Sequence, residues 1–537
     1  MDDEPESRPP TVTRARRQSL GDIPRRTARR VPGKLALVDG DTRLTFKEFD
    51  DRIDRVAAAL AEAGLGKGDR LAILSRNCWQ YPVLVFAAAR IGVVTVPVNF
   101  MLGGSEIAYI LAHSAADALV AESALVPTAT EALGVAGAAV RVRAALGLDG
   151  TAVPDGWADA TAWADHPRSD PPDVDIGDDD LLRLMYTSGT ESRPKGVMLG
   201  SRSLMWQYTS TIISGGMSAD DVEVHALPFY HCAQLDNFLI TDIYLGATSV
   251  ILRGPDPDAI LKAVDEERAT KLFAPPTVWI GLLRSPRFDS ADLGCLRKGY
   301  YGASAMPREV LRELSRRLPE VRLWNFYGQT EMAPIATALP PQDQLSHAGS
   351  AGLPALNVET LVVDDTDAPV PPGTVGEIVH RSPHAALGYL GAPDRTAEAF
   401  RGGWFHSGDL GYLDADGYLY VVDRKKDMIK TGGENVASRE VEEVLYRHPD
   451  VAEAAVFGVD HPHWIEAVVA AVVPRGGARP SPEDIIAHCR AALAGFKTPK
   501  HVLIVDALPK NPSGKILKRR LRERFAHVAT GELPPAP

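Results

Sequence analysis

The sequence has few cysteines, no long apolar run and no excess of positive charge. Its 537 residues contain four cysteines, at positions 78, 232, 295 and 489, and their spacing matches neither a metal site nor a disulfide framework. The most apolar stretch, residues 81–98, is interrupted by Arg90 and falls short of the roughly 18 uncharged residues of a membrane helix. The formal net charge of −12 argues against a nucleic-acid-binding protein. We therefore expect a cytoplasmic protein with reduced thiols, no nucleic-acid partner and no integral membrane association.

The first twenty residues differ in composition from the rest of the sequence. They contain arginines and acidic residues but lack the apolar core of a secretory signal. We expect residues 1–20 to form a flexible N-terminal tail.

The remaining sequence alternates between helical and strand patterns. In residues 52–64 apolar side chains recur at helical spacing, which predicts an amphipathic helix that ends at Gly64. Short apolar runs such as LAILS, LLRLM and TSVIL alternate with such helices, as is typical of layered α/β folds with partly parallel sheets. From about residue 360 the pattern becomes β-rich, and after DRKKD, residues 423–427, it returns to alternating helices and strands.

These patterns predict a multi-domain α/β protein. A large N-terminal domain, residues 21–425, would contain layered α/β subdomains and a β-rich subdomain. A small, mobile α+β domain, residues 426–537, would follow it.

The segment YTSGTESRPKG, residues 186–196, has the composition of a phosphate-binding loop. Its hydroxyl groups, its glycines and its two cations suit an anion, although Gly, Ser and Thr are also common in solvated turns. It differs from the Walker loop, because Pro194 replaces the second glycine of that motif and Gly196 replaces the Mg²⁺-binding hydroxyl. The segment alone therefore does not identify the phosphate chemistry.

Three later motifs give this loop a context. They are NFYGQTE at residues 325–331, the long segment from GWFHSGDLG to KTGGENV at residues 403–436, and LPKNPSGKILKRRLR at residues 508–522. Together the four motifs resemble the adenylate-forming superfamily, which contains acyl-CoA synthetases, adenylation domains of peptide synthetases and luciferases. The resemblance covers residues from about 20 to 525, and it favours the branch of acyl-CoA and fatty-acid–CoA ligases.

The resemblance implies a two-step ligase reaction. The first step joins AMP to a carboxylate and releases pyrophosphate, and the second transfers the acyl group to the thiol of coenzyme A. ATP, Mg²⁺ and coenzyme A are the implied substrates and activator, and no tightly bound prosthetic group is expected. The implied partners are small molecules, and the protein is expected to be a monomer or a homodimer.

The family motifs assign nucleotide-binding roles to particular residues. Tyr327 would stack on the adenine, Thr330 would bind the α-phosphate, and Glu331 would help to hold Mg²⁺, for which a carboxylate is a suitable hard ligand. The other residues implied to bind ATP or AMP are Thr187, Ser188, Gly189, Thr190 and Lys195 in the phosphate loop, Gly302, Ala303 and Ser304 beside the adenine, Gly328, and Asp409 and Arg424 at the ribose.

The C-terminal motifs imply the remaining catalytic parts. Lys515 would bridge the carboxylate and the α-phosphate and neutralise charge as the two anions meet. Lys426 matches the hinge position between the domains, and Gly432 and Gly433 would let the thiol of coenzyme A pass close to the backbone. The basic run around Lys515 is, on charge pattern alone, equally typical of a solvated face.

The segment LPFYHCAQLDNF, residues 227–238, matches the family segment beside the acyl pocket. His231 would flank the carboxylate, although it is also compatible with a packed core histidine. Ala233 stands where amino-acid-activating relatives carry an aspartate for the substrate ammonium, so we expect an apolar, non-amino carboxylic acid. Trp279 is a further candidate for the pocket wall, with a core position as the alternative. These residues do not indicate the chain length of the substrate acid, nor whether it is an aryl or an alkyl acid.

The phosphate loop departs from the usual family pattern S-G-T-T-G-x-P-K-G. Glu191 and Ser192 replace a threonine and a glycine, and Glu191 places an anion in an anion-binding loop. One alternative is therefore a ligase that performs only the thioester half-reaction on a preformed acyl-adenylate. About twenty residues follow Lys515, so we expect a diffusible acceptor, coenzyme A or, as an alternative, a free acyl carrier protein. Three other interpretations of the sequence are less favoured: a non-enzymatic scaffold, a nucleic-acid binder and an oxidative light-emitting enzyme.

Overall fold

The computed structural model describes residues 12, 15–136, 140–187, 194–302, 306–425, 427–432, 434–510 and 516–529. Its strands, numbered along the chain, are β1 Leu35–Asp39, β2 Thr42–Thr45, β3 Arg70–Leu74, β4 Val94–Pro97, β5 Ala118–Glu122, β6 Val142–Leu146, β7 Ala158–Asp159, β8 Leu181–Thr187, β9 Lys195–Gly200, β10 Val222–His225, β11 Thr248–Ile251, β12 Lys271–Phe273, β13 Lys298–Gly302, β14 Arg322–Gly328, β15 Ile335–Leu339, β16 Leu353–Pro354, β17 Glu359–Val363, β18 Gly376–Arg381, β19 Gly388–Tyr389, β20 Phe405–Leu413, β21 Leu419–Arg424, β22 Ile429–Thr431, β23 Glu434–Val436, β24 Val451–His461, β25 Ile465–Pro474 and β26 His501–Ile504.

The α-helices of the same residues are numbered in the same way. They are α1 Ile23–Arg30, α2 Phe46–Glu62, α3 Gln80–Arg90, α4 Gly104–His113, α5 Val126–Ala136, α6 Ser201–Ser214, α7 Cys232–Gln234, α8 Ile240–Leu245, α9 Pro257–Glu266, α10 Pro276–Arg284, α11 Arg308–Arg317, α12 Pro393–Ala399, α13 Ser438–Tyr446, α14 Pro482–Ala492 and α15 Lys518–Phe525. A π-helical turn, Leu235–Leu239, joins α7 to α8.

Two large mixed sheets form the first part of the chain. The nine-stranded sheet has the order β16-β15-β14-β13-β12-β10-β11-β1-β2, and its central pairs are parallel. The eight-stranded sheet has the order β19-β9-β8-β4-β3-β5-β6-β7, also with a parallel centre. Antiparallel pairs occur at the edges, where β9 and β19 extend the second sheet and β15 and β16 extend the first. The predicted layered α/β fold with partly parallel sheets is confirmed.

Two smaller sheets follow. Strands β17, β18, β20 and β21 form an antiparallel sheet, which is the β-rich region expected from about residue 360. Strands β22 to β26 form a separate five-stranded sheet that α13 and α14 cover through a core of Val441, Leu445, Val456, Val468 and Ile485. The structure is thus a large α/β part followed by a smaller β-rich part, as the sequence predicts.

Helix α2 contains the amphipathic pattern from which the sequence predicted a helix. Its first turn has a capping box: the amide of Glu48 donates to Thr45 Oγ1 at 3.3 Å, and the amide of Thr45 donates to Glu48 Oε2 at 2.8 Å. The apolar face, which includes Phe49, Ile53 and Leu60, is buried, and Gly64 follows the end of the helix with φ +84°.

The most apolar run, residues 81–98, folds into α3 and β4, and every residue of α3 is buried. Its single charge, Arg90, pairs with Asp50 and Asp54 of α2, each at 2.6 Å, so the buried guanidinium is neutralised. None of the helices in the described part of the chain has the length and apolar composition that a bilayer crossing requires.

Candidate active site

The phosphate loop closes a hairpin between β8 and β9. Thr187, the last residue of β8, is the cross-strand partner of Lys195, the first residue of β9. Ser188, Gly189 and Thr190 lie outside the described residues, as do Glu191 and Ser192. The hairpin therefore fixes the two ends of the loop, and Lys195 is half-buried at its C-terminal end.

Lys195 connects this hairpin to the YGQTE motif through Tyr389. The Lys195 ammonium lies 5.1 Å from the centre of the Tyr389 ring, a cation–π arrangement. The Tyr389 hydroxyl donates a 2.8 Å hydrogen bond to Oε1 of Glu331. Burial and the neighbouring Glu331 raise the pKa of Tyr389 well above its ordinary value, so this hydroxyl remains a donor. Sequence reasoning missed Tyr389, because no motif marks a residue 58 positions from its partner.

Three of the predicted nucleotide residues meet at Asp409. The Tyr327 hydroxyl donates to Asp409 Oδ2 at 2.8 Å, and Arg424 Nε lies 3.1 Å from Asp409 Oδ1. Asp409 on β20 and Arg424 on β21 are cross-strand partners, so the antiparallel register alone places them side by side. Burial and the adjacent Asp409 raise the pKa of Tyr327 well above its ordinary value.

Gln329 completes this group and was also missed. Its Nε2 donates to the Tyr327 hydroxyl at 2.6 Å and to Asp409 Oδ2 at 3.1 Å. It occupies the variable position of YG-x-TE, so the motif itself gave no reason to select it.

Two glycines of the site are required by close packing. A Cβ atom on Gly328 would lie 1.9 Å from the carbonyl oxygen of Pro334, and one on Gly302 would lie 2.5 Å from that of Phe326. Gly302 ends β13, and the neighbouring Ala303 and Ser304 lie outside the described residues.

Thr330 links the YGQTE motif to the predicted acyl segment, residues 227–238. Its Oγ1 lies 3.5 Å from the Cys232 sulfur. His231 caps the short helix α7, with its Nδ1 accepting from the amide of Ala233 at 3.2 Å. Burial raises the pKa of Cys232 to about 12, so the sulfur next to Thr330 is a neutral thiol.

Ala233 packs against a buried apolar cluster. Five aromatic members of that cluster, here called the ring cluster, are Phe238, Phe273, Tyr300, Trp324 and Phe326. The rings of Phe238 and Phe273 are stacked with centres 4.2 Å apart, and those of Tyr300 and Trp324 with centres 5.1 Å apart. The apolar cluster against which Ala233 packs thus contains several stacked aromatic rings as well as aliphatic side chains.

Trp279, the other candidate for the pocket wall, does not belong to the ring cluster. It is 1% exposed and packs in a different apolar core, with Val224 and Leu282, and its indole N–H donates to the carbonyl of Tyr300 at 3.1 Å. The structure therefore does not bring Trp279 together with Ala233.

Asp236 has a structural partner of its own. Both Asp236 and Arg183 are completely buried and form an ion pair, and the Tyr208 hydroxyl donates to Asp236 Oδ1 at 3.0 Å. Arg183 lies on β8, four residues before Thr187, so this pair joins the acyl segment to the strand that carries the phosphate loop.

The C-terminal candidates are only partly described. Lys515, Lys426 and Gly433 lie outside the described residues. Gly432 has φ +60°, and a Cβ there would lie 3.2 Å from the Trp464 ring. The amide of Gly432 donates to the carbonyl of Trp464 at 2.8 Å, which holds this loop against the β24–β25 turn.

Known proteins match this chain over most of its length. Residues 24–390 match the AMP-binding enzyme family, and residues 440–515 match the AMP-binding enzyme C-terminal domain. A feruloyl-CoA synthase from an Amycolatopsis species is 40% identical over 511 residues, covering 95% of this chain and 100% of that protein. A long-chain-fatty-acid–CoA ligase of Mycobacterium tuberculosis is 33% identical over 489 residues, covering 90% and 94%. The crystal structure of the anthranilate CoA ligase AuaEII with anthranoyl-AMP superimposes with a TM-score of 0.89 at 26% identity, covering 96% and 98%.

The chain belongs to the AMP-binding enzyme family. Within the adenylate-forming superfamily it is an acyl-CoA synthetase, an AMP-forming acid–thiol ligase that acts on a non-amino carboxylic acid. The expectation drawn from the four sequence motifs is confirmed.

Proposed function

We propose that this acyl-CoA synthetase activates an aromatic carboxylic acid. The observation that carries the proposal is the ring cluster beside Ala233, in which four of the five rings stack in pairs. A flat ring gains favourable offset-stacked or edge contacts on such a wall, whereas a flexible alkyl chain loses more rotational freedom when it binds there. The 40% identity to a feruloyl-CoA synthase supports the same class of acid.

The acid carries no ammonium group. Ala233 offers no counter-charge, and Asp236 is committed to Arg183 inside the protein. An ammonium at this position would be desolvated without a partner, which makes its binding costly.

The nucleotide would bind between the phosphate hairpin and the β-rich sheet. Lys195 and Thr187 would contact the phosphates, Tyr327 would stack on the adenine, and Asp409 with Arg424 would hold the ribose. Glu331 suits Mg²⁺, because it is a hard carboxylate ligand that Tyr389 holds through one oxygen beside the phosphate hairpin. The bound ion would offset the negative charge of the phosphates.

The chemistry would proceed in two balanced steps. The substrate carboxylate attacks the α-phosphorus, and pyrophosphate leaves with the electron pair of the broken P–O bond. Lys515 would stabilise the charge of this step. The thiolate of coenzyme A then attacks the acyl carbon, and AMP leaves. His231, Thr330, Gly432 and Gly433 would line the path of the acyl carbon and the thiol.

Rotation of the C-terminal domain, residues 426–537, against residues 21–425 would alternate the two steps. Contacts cross the proposed hinge at Lys426: Asp423 accepts from the amide and the hydroxyl of Ser438, both at 2.7 Å, and Arg439 donates to the carbonyl of Val421 at 2.7 Å. Rotation would have to exchange these contacts for others. Lys426→Pro is expected to block thioester formation and spare adenylation, and an equal loss of both steps would contradict the hinge.

The deciding experiment is acid-dependent ATP–pyrophosphate exchange without coenzyme A, across hydroxycinnamic, benzoic, indolic and fatty acids. Exchange with aryl acids at a kcat/KM at least tenfold above that for fatty acids is expected. Preference for a fatty acid would contradict the aromatic assignment but leave the ligase chemistry intact. Lys515→Ala should abolish exchange. Lys510→Ala removes a neighbouring basic residue and serves as the control, in which exchange should persist.

A second candidate is a ligase restricted to the thioester step, because Glu191 places an anion in the phosphate loop. Thioester formation from a preformed acyl-adenylate, without exchange by any acid, would favour it. Glu191→Thr should leave ATP affinity equal or improved, and a large loss would instead give Glu191 a positive role. A free acyl carrier protein offered in place of coenzyme A tests the alternative acceptor.

A further inference from the structure

Five polar side chains, one of them in the acyl segment itself, form a completely buried group. Glu223 and His225 belong to β10, Lys271 to β12, Gln234 to α7 and Asp242 to α8, and each is 0% exposed. None of them has a part in the proposed chemistry. Burying five such groups is costly unless each is paired, so their arrangement is informative.

The charged members neutralise one another. The Lys271 ammonium lies 2.5 Å from Asp242 Oδ1 and 2.7 Å from Glu223 Oε2. Burial opposes the charge on Lys271, but Asp242 and Glu223 together outweigh it and hold its pKa above the ordinary value. Burial raises the pKa of Glu223, whereas Lys271 and His225 overcome burial at Asp242 and lower its pKa to about 2. The opposite directions of these two shifts indicate that Asp242 is the main counter-charge of Lys271.

Glu223, His225 and Asp242 are also the one group of three ligand atoms close enough for a metal ion within the described residues. The Lys271 ammonium contacts both carboxyl groups from within this group. A second cation would meet a like charge at short range, so the group is an ion-pair cluster and not a metal site.

The amide of Gln234 connects this cluster to the acyl segment in a fixed orientation. The backbone N–H of Leu227 donates to Gln234 Oε1 at 3.3 Å, so the oxygen of the amide must face Leu227. Its Nε2 then faces His225 Nδ1 at 2.7 Å and donates to it. The imidazole consequently carries its proton on Nε2, which lies 3.3 Å from Asp242 Oδ2.

We propose that Gln234 is a positioning residue for the acid, held in one orientation by His225, Asp242 and Lys271. Gln234, inside the segment, is tied to Leu227 at its beginning, and His231 and Ala233 lie in the loop that this bond closes. Asn77 fixes the same beginning from outside, because it donates to the carbonyl of Leu227 at 2.8 Å and accepts from the amide of Phe229 at 2.9 Å. The inference rests on the proposed acyl role of this segment.

The first test compares Gln234→Leu with Gln344→Leu. Gln344 is a matched control, since it is buried, accepts from the Tyr301 hydroxyl at 2.7 Å and donates to the carbonyl of Leu339 at 3.0 Å, away from the acyl segment. Gln234→Leu should raise KM for the acid at least tenfold and change KM for ATP less than twofold. Gln344→Leu should change neither. An unchanged acid KM, or an equal rise in both KM values, would overturn the proposal.

Gln234→Glu gives a second test that does not depend on the loss of a bond. The new carboxylate still accepts from Leu227, but its other oxygen faces the lone pair of His225 Nδ1, so the imidazole must be protonated to bridge it to Asp242. The groups that face His225 are Asp242, Glu223 and Lys271. KM for the acid should therefore be near the wild-type value at pH 6 and rise several-fold by pH 9, while the wild-type profile stays flat. A flat profile in this variant would contradict the assigned orientation.

The tautomer of His225 can be determined by NMR spectroscopy, without an activity assay. Ring ¹⁵N–¹H correlation spectra of histidine-labelled protein, with His225→Asn used for assignment, should show a neutral ring protonated on Nε2. A proton on Nδ1 would overturn the inference even if catalysis were normal. Absence of acid-dependent exchange in the wild type would count against the proposed function, whereas the spectrum would still decide the orientation of Gln234.

Discussion

The phenolic oxygen of Tyr389 lies 2.8 Å from Oε1 of Glu331. Tyr389 belongs to the two-residue edge strand β19, which pairs with β9 directly after the phosphate loop, and Glu331 follows β14 of the other large sheet. One hydrogen bond thus joins the two sheets at the place where the phosphates and Mg²⁺ are proposed to bind.

Removing this hydroxyl should weaken the use of ATP. Tyr389→Phe keeps the ring under Lys195 and removes a hydrogen bond to a carboxylate, a type that contributes about 1.5–3 kcal/mol. We expect kcat/KM for ATP to fall about tenfold, with little change in KM for the acid, as measured by pyrophosphate exchange. Tyr418→Phe removes an equivalent 2.8 Å bond to Asp343 outside the site and should leave both constants unchanged. Equal effects of the two variants would show that Tyr389 acts only through stability.

The Arg183–Asp236 pair should dominate the stability of the acyl segment. Asp236→Asn leaves the fully buried Arg183 without its counter-charge, which typically costs about 3–5 kcal/mol. Urea unfolding should show a loss of that size. Glu359→Gln breaks the exposed pair with Arg381 and should cost less than about 1 kcal/mol. A small effect of Asp236→Asn would mean that water reaches Arg183.

Gly328 should not accept a side chain. In Gly328→Ala the new Cβ would overlap the carbonyl oxygen of Pro334, so β14 or the turn after it must move. We expect poor recovery of soluble protein or a strongly lowered Tm. Gly254→Ala is the control, because a Cβ there meets no atom within 4 Å. Normal stability of the Gly328 variant would contradict the packing described for the YG pair.

Acid should destabilise the protein through two buried histidines. Burial lowers the pKa of His380 to about 3 and that of His384 to about 4, against about 6.5 in the unfolded chain. The unfolded state therefore binds more protons below pH 6.5, and stability is lost as the pH falls. Between pH 6.5 and 5 each histidine should remove about 2 kcal/mol of unfolding free energy.

Urea unfolding at pH 7.5 and pH 5.0 measures this loss. His384→Gln should reduce the pH-dependent loss by about 2 kcal/mol, whatever its effect at pH 7.5. The pH range lies above the region in which most carboxylates titrate, so the difference reports the histidine. An unchanged pH dependence would show that His384 is protonated in the folded protein.

The sequence predicted those parts of the molecule that depend on local patterns. The helix predicted over residues 52–64 is the second half of Phe46–Glu62, and Gly64 follows its end with a left-handed backbone. The buried runs LAILS and LLRLM became β3 and β8. Asp409 and Arg424 were each predicted from the family motifs to contact the ribose, and they are cross-strand neighbours. Such features need only periodicity, turn chemistry or a motif.

The rest depends on contacts between distant parts of the chain. Tyr389 and Gln329 have no motif of their own, and only the folded sheets bring them to Glu331 and Asp409. Trp279 shows the opposite case. An aromatic residue in an apolar run suits a pocket wall and a core equally, and only its packing with Val224 distinguishes them. The sequence likewise did not predict the ion-pair cluster around Lys271, because its members come from four separate elements, β10, β12, α7 and α8.

The stacking of Trp324 on Tyr300 has a practical consequence. The indole is 4% exposed and belongs to the ring cluster, so an acid bound at the proposed acyl site would change its fluorescence emission. An aryl acid with near-ultraviolet absorption would quench it by energy transfer over a few ångströms. The Trp324→Phe variant gives the background fluorescence of the other seven tryptophans, which is subtracted from the wild-type signal. The proposed acyl site would thus contain its own optical reporter, with which acid binding could be titrated before any ATP is added.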